Sequence, residues 1–230
     1  MLFKSPVFSQ ASGSIAGIVY SRNAGGMYTR ARAMPTNPNT EAQQAIRTAM
    51  ADLVVYWTET LGTIERESWN NYAFNTPTLN RLGEPTHKSG QQMFLRGNIP
   101  RVQAGLPIAQ TGPTFFDLGD FTNPGPIAVD ASLNQVSITY DDADTWANEE
   151  GSAMLIYQSR PQNPTRNFGK GPFQLLTMIE GDALTPPVSP VTATSLFTVA
   201  EGQKVFFQIR VTRADGRLSA LYNPAVIVVA

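Results

Sequence analysis

The chain is 230 residues long and 42% apolar, enough for one large domain or two small ones with a true core, and too apolar for disorder. Seventeen Lys and Arg against eighteen Asp and Glu leave a net charge of -1, and only 15% of residues are charged, which excludes an overall nucleic-acid footprint. With no Cys and a single His, disulfide staples, thiolate metal sites, Cys nucleophiles and multi-histidine metal centres are excluded, so no metal and no cofactor is expected. No stretch approaches the roughly 20 apolar residues of a membrane span. Met1 to Pro6 contains no apolar run of signal-peptide length, so the reading is a soluble, non-secreted product with no membrane partner.

Charge divides unevenly along the chain. Residues 1–101 hold ten basic and six acidic side chains, a net +4, whereas 102–230 hold seven and twelve, a net -5. Residues 1–13 mix Pro6, Gly13 and serines with isolated apolar residues in no regular period, which predicts an extended arm. Ile15 to Ser21 and Met27 to Ala33 then read as strands around Arg22, Asn23, Ala24, Gly25 and Gly26, a segment suited to a tight reversal. Alternation along the second strand places Tyr28, Arg30 and Arg32 on one side, and the hairpin is expected to line its cations on a single face. Because a lone hairpin is marginal in water, it must lean on the helices behind it or on another subunit.

Asn39 or Thr40 is the expected N-cap of a first helix, with Glu41 in its first turn. Ala42, Ala45, Ile46, Ala49, Met50, Leu53, Trp57 and Leu61 recur at helical spacing as its inward stripe, and Gly62 stands where a C-terminal cap belongs. Thr63 is read as capping a second helix with Trp69, Tyr72 and Ala73 inward, and a third is expected from Ser89, bending near Pro100. Residues 110–126, rich in Pro and Gly, read as a linker. Beyond it, seven period-two runs are expected as strands: 127–131, 135–140, 153–159, 173–179, 193–199, 205–212 and 225–229. Their spacing and turn chemistry predict an antiparallel sandwich. Val205, Phe207, Ile209 and Val211 mark a dry face, while Phe206, Gln208, Arg210 and Thr212 mark a mostly wet one. The fold class is therefore α+β with two domains: an arm (1–13), a hairpin with a small helical cluster (14–109), a linker (110–126) and an all-β antiparallel sandwich (127–230).

Catalytic and metal signals are thin. His87 sits in a turn-like segment with no second histidine to share an ion, and reads as a surface residue. Asp141, Asp142, Asp144, Glu149 and Glu150 form the densest acidic cluster but lack the glycine and glutamate spacing of a calcium loop. Asn167 to Pro172 has glycines and a lysine without the Ser or Thr and the helix that a phosphate loop needs, and reads as a hairpin loop. Nothing in the sequence positions Glu65, Glu67 or Glu84 as a catalytic pair. The chain is not expected to be an enzyme. Trp146, between Asp144 and Asn148, is the aromatic that reads as loop-borne and is the candidate glycan contact.

Two resemblances sharpen this. Phe206 to Ser219, with the Asp215-Gly216 turn and the Asn223-Pro224 break before Ala225, resembles the last two strands of fibronectin type III domains, which implies an Ig-like or fibronectin III-like sandwich and no particular function. Ser12 to Asn23, Gly26 to Arg32 and Pro35 to Thr40, with Gln43 and Gln44, resemble a family of tailed-phage and prophage proteins. Its members open with a Ser-Gly-x-Ile-Gly hairpin, an Arg-x-Arg strand and an Asn-Pro-x-Thr helix entry. The likeness continues through Trp57, Leu61, Arg66, Trp69, Tyr72, Ala73, Gly83, Ser89, Gly90 and Phe94. It departs at Gly17, which follows Ala16 where the pattern puts glycine one place earlier.

That resemblance implies a virion structural component, assembled in the bacterial host cytoplasm and present in multiple copies. The leading expectation is a capsid decoration or minor head protein that docks on the major capsid protein or another virion subunit through Arg22, Asn23, Tyr28, Arg30 and Arg32. A tail or neck adaptor is the alternative station, and a carbohydrate-binding module built on Trp146, Tyr140, Tyr157 and Phe168 is the alternative class. Nucleic-acid binding by the arginine face is a further alternative, distinguished by a steep salt dependence; no nucleic-acid partner is expected.

Overall fold

Two tight reversals organise the amino-terminal end of the structure, a computed structural model that describes residues 12–230 apart from Pro35, Pro38, Arg81 and Lys170. The expected arm lies outside the described residues except for Ser12 and Gly13. Strands β1 (Gly13–Ile15), β2 (Ile18–Asn23) and β3 (Gly26–Ala31) form an antiparallel sheet in that order. The expected first strand, 15–21, is thus two strands. Ala16 and Gly17 reverse the chain between them, with Ala16 held at φ 50° in the left-handed region that glycine would enter without strain. The second reversal is Ala24-Gly25, where Asn23 Oδ1 accepts a hydrogen bond from Gly25 N at 2.9 Å.

Helix α1 (Glu41–Val55) starts at Thr40, whose hydroxyl accepts from Gln43 N while the Gln43 side chain accepts from Thr40 N, satisfying two otherwise orphaned amides. A π-helical turn, Tyr56–Thr60, ends it at the extended residue Leu61. Gly62 is the N-cap of α2 (Thr63–Asn75) rather than the C-cap of α1, and Thr63 is the first residue of α2 rather than its cap. A two-residue ladder, β4 (Thr78–Leu79) with β5 (Pro85–Thr86), leads to α3 (Gly90–Gln103), capped by Ser89 and Gln92 in the same reciprocal way. Leu53, Leu61, Trp69, Tyr72, Met93 and Phe94 close a small core between these helices. Trp69 meets the rings of Tyr72 and Phe94 edge-on, at 5.9 and 5.6 Å.

Eight strands follow: β6 (Ile127–Asp130), β7 (Gln135–Ile138), β8 (Ala153–Ser159), β9 (Phe173–Glu180), β10 (Val191–Thr194), β11 (Lys204–Val205), β12 (Phe207–Thr212) and β13 (Ile227–Val228). They pair antiparallel as β10-β7-β6, β12-β8-β9 and β11-β13. Among the described residues the chain is therefore a mixed α+β structure of helices and antiparallel sheets. Val129, Val136, Ile138, Met154, Ile156, Ile179, Val205, Phe207, Ile209 and Val211 from the three sheets share one apolar core.

The side of β12 expected to be mostly wet is not: Phe206 and Thr212 are buried, Gln208 and Arg210 are half-buried, and the adjoining face of β8 is covered too. Ala153 and Leu155 on that side of β8 are fully buried against Ala104 and Leu106 from the end of α3. Residues 110–126, read as a linker, run along α2: Trp69 Nε1 donates to Gln110 O (2.9 Å), Gly112 N to Ser68 Oγ (2.7 Å) and Tyr72 Oη to Asp117 O (2.7 Å). The helices and sheets also approach without intervening side chains. A Cβ on Gly97 would strike the Gly216 carbonyl, and Gly216 is at φ 87° with the Trp69 ring behind it. The buried Arg101 ties the parts together, its Nε donating to Pro107 O (2.8 Å) and its Nη1 to Gly151 O (3.0 Å) and Arg213 O (2.7 Å).

Candidate docking surface

The β1-β2-β3 sheet has no core. None of its residues is fully buried, and none belongs to the three apolar clusters of the described residues. Register fixes what each face carries. The Ala24-Gly25 turn pairs Asn23 with Gly26, so Ser21 stands opposite Tyr28, Val19 opposite Arg30 and Arg22 opposite Met27. Paired residues share a face. Tyr28 and Arg30 therefore lie on one face with Ser14, Val19 and Ser21, and Arg32, whose amide donates to Gly17 O at 2.8 Å, continues that side.

Arg22 is on the opposite face, which corrects the expectation that the hairpin cations align. The reason is parity: a two-residue turn places the even positions of β2 across from the odd positions of β3. Asn23 turns its side chain back to the reversal and serves it. The face that Arg22 shares is the more informative one. It carries Ile15, Ile18, Tyr20, Met27 and Ala31, with Ile15 73% and Ile18 45% exposed. Sequence reasoning missed this apolar side because it took 15–21 as one strand, which assigns Ile15 to the Val19 side. The signal that reveals it is Ala16-Gly17 read as a reversal between two isoleucines.

Next in the chain, α1 repeats the theme. Of the stripe expected to face inward, Ala49, Leu53 and Leu61 are buried, but Ala42, Ala45, Ile46 and Met50 are exposed, the last two at 43% and 49%. The first two turns of α1 thus project past the core that holds its end. Full burial of an Ile or Met side chain is worth about 1.5–3 kcal/mol; Ile15 leaves most of that ungained within this chain, and Ile18, Ile46 and Met50 leave nearly half. A cleft of about 600 Å³, lined by Asn23, Tyr28, Leu79, His87, Lys88 and Gln92, separates the hairpin tip from the start of α3. His87 is exposed and stacks on Phe74 at 5.6 Å.

Trp146 is not available to a sugar. Its ring is 0% exposed inside the sheet core, tilted against Tyr140 at 5.4 Å. The loop that carries it folds over the core, held by Ser152 Oγ, which donates to the carbonyls of Trp146 and Glu149. Tyr140 is buried too, and Tyr157 is half-buried on the other side of the β12-β8-β9 sheet. Phe168 is exposed, with the Arg166 guanidinium 4.8 Å above its ring. The acidic loop serves its own architecture: Asp141 accepts from Ala143 N (3.0 Å), Asp144 accepts from Thr122 N and Oγ1 (2.8 and 2.9 Å), and Glu149 pairs with Arg213 at 2.6 Å. No protein family, curated protein or solved structure matches this chain.

Proposed function

We propose that the chain is a structural component of a tailed-phage virion, a capsid decoration or minor head protein that docks on the shell through its amino-terminal sheet and the projecting half of α1. The observation that carries the docking reading is the exposed apolar face of β1-β2-β3, Ile15 and Ile18 above all, on a sheet with no core of its own. An apolar sheet face left exposed in this way gains stability when a partner surface covers it. On the opposite face Arg30 and Arg32 supply planar cations suited to pairing with carboxylates, with the Tyr28 phenol beside them. The virion setting comes from the resemblance of residues 12–105 to phage structural proteins, and a tail or neck adaptor is the other station it allows.

In this reading the carboxy-terminal half is a fibronectin III-like sandwich that spaces or displays rather than catalyses. Its strand order supports this: β6, β7 and β10 form one sheet, β8, β9 and β12 the other, and the last strand returns beside β11. The test is incorporation into particles. Ile15→Glu with Ile18→Glu is expected to remove the protein from purified particles while leaving its fold intact, and Arg30→Glu with Arg32→Glu to weaken attachment. Normal incorporation of the isoleucine double variant would refute docking through this sheet, and cryo-microscopy of the particles separates head from tail.

A further inference from the structure

The other partly buried arginines among the described residues each donate at least one side-chain hydrogen bond. Arg101 reaches three carbonyls, Arg213 pairs with Glu149, and Arg217 binds Asp117 and Asp215 at 2.6 and 2.8 Å. Arg210 on β12 differs: among the described residues it is the one partly buried arginine whose side chain donates no hydrogen bond, and its Nε, like those of Arg66 and Arg166, is buried without a partner.

Arg210 lines a groove of about 430 Å³ between α1, α3 and the outer face of the β12-β8-β9 sheet. Arg96 lines the same groove. One of its Nη atoms donates to Leu218 O at 3.0 Å, and it too has no ion pair among the described residues. Burial lowers the pKa of both arginines, and Arg210 lowers that of Arg96 further. Around these two cations stand Ile46, Leu95 and Ile99, which are apolar and incompletely buried.

Two partly desolvated guanidiniums without a carboxylate are costly to keep and gain most from one bidentate anionic partner. We propose that this groove receives an acidic peptide segment of the partner subunit, one carboxylate bridging Arg96 and Arg210 while flanking aliphatic side chains rest on Ile46, Leu95 and Ile99. The proposal rests on the docking reading and adds the chemistry of the partner. Charge selects the occupant: an uncharged apolar segment would leave Arg210 buried and unpaired.

The experiment uses the full chain, labelled with ¹⁵N, and follows the Nε–Hε resonances of Arg96 and Arg210. The probes are an end-capped pentapeptide Leu-Ala-Glu-Ala-Leu, its Gln counterpart and inorganic phosphate. The Glu peptide is expected to shift both resonances saturably and to bind about tenfold or more tighter than the Gln peptide, the factor that roughly 1.4 kcal/mol provides. Arg210→Met is expected to abolish that preference while keeping or raising the melting temperature, since it removes an unpaired charge and retains the aliphatic stem. Equal binding of the two peptides, absence of a saturable shift, phosphate binding as tight as the Glu peptide, or a lowered melting temperature in Arg210→Met would each overturn the proposal. Because the peptides are measured on the isolated chain, failure here leaves particle attachment through Ile15 and Ile18 standing. Failure of that attachment leaves the peptide result standing.

Discussion

Arg101 is the side chain on which the junction of helices and sheets most depends. Its charge is met by carbonyls rather than by an acid, so its removal uncovers Pro107 O, Gly151 O and Arg213 O together. Each buried group left unpaired costs about 1–3 kcal/mol. Arg101→Ala is expected to destabilise the chain by about 3 kcal/mol or more, read by chemical denaturation. Arg101→Lys should recover little, because a single ammonium cannot reproduce the planar fork. Tyr72 makes the complementary statement about pH. Burial pushes its phenol up from 10.0 to about 12. The neutral form is the one the fold favours, so its contribution is complete below the unfolded value near 10 and is lost as pH rises from there toward 12. Thermal melts across that window should fall more steeply for the wild type than for Tyr72→Phe; parallel curves would show that the phenol plays no such part.

Elements were legible where the local signal and the covering partner agree. The caps at Thr40 and Ser89 are visible because a Ser or Thr three residues before Gln satisfies amides from either side. β8 occupies the span its residues indicate, 153–159, because four consecutive apolar positions flanked by turn formers leave little else. The misreadings have a common cause. Period gives the apolar side of an element but not what lies against it: the stripe on α1 is real yet half uncovered, and the polar side of β12 is covered by α3 and the segment after it. Ala16 added a further obstacle, since a positive φ at alanine carries no composition signal. These points make α1 testable. Met50→Glu is expected to change stability by no more than about 0.5 kcal/mol, as at other exposed positions, whereas Leu53→Ala, one turn on and buried, should cost about 2–5 kcal/mol. A large loss of stability in Met50→Glu would mean that α1 is covered along its whole length.

At the scale of the molecule, helices and sheets are joined through Arg101, Arg96 and the Gly97–Gly216 approach, while the amino-terminal sheet contributes no residue to the apolar clusters of the described residues. The candidate surface was legible in outline, through the paired arginine positions and the Gly-containing turns. Its apolar face was hidden by the unrecognised first reversal, and Trp146 was misplaced because flanking polar residues do not report a ring turned inward. A body that folds without its leading sheet, and a sheet that needs a foreign surface, are the two halves of the central claim. Deleting residues 1–33 and measuring both the melting temperature of the remainder and its occupancy on purified particles tests them together. An unchanged melting temperature with occupancy lost is the predicted result, and full occupancy by the truncated chain would contradict it.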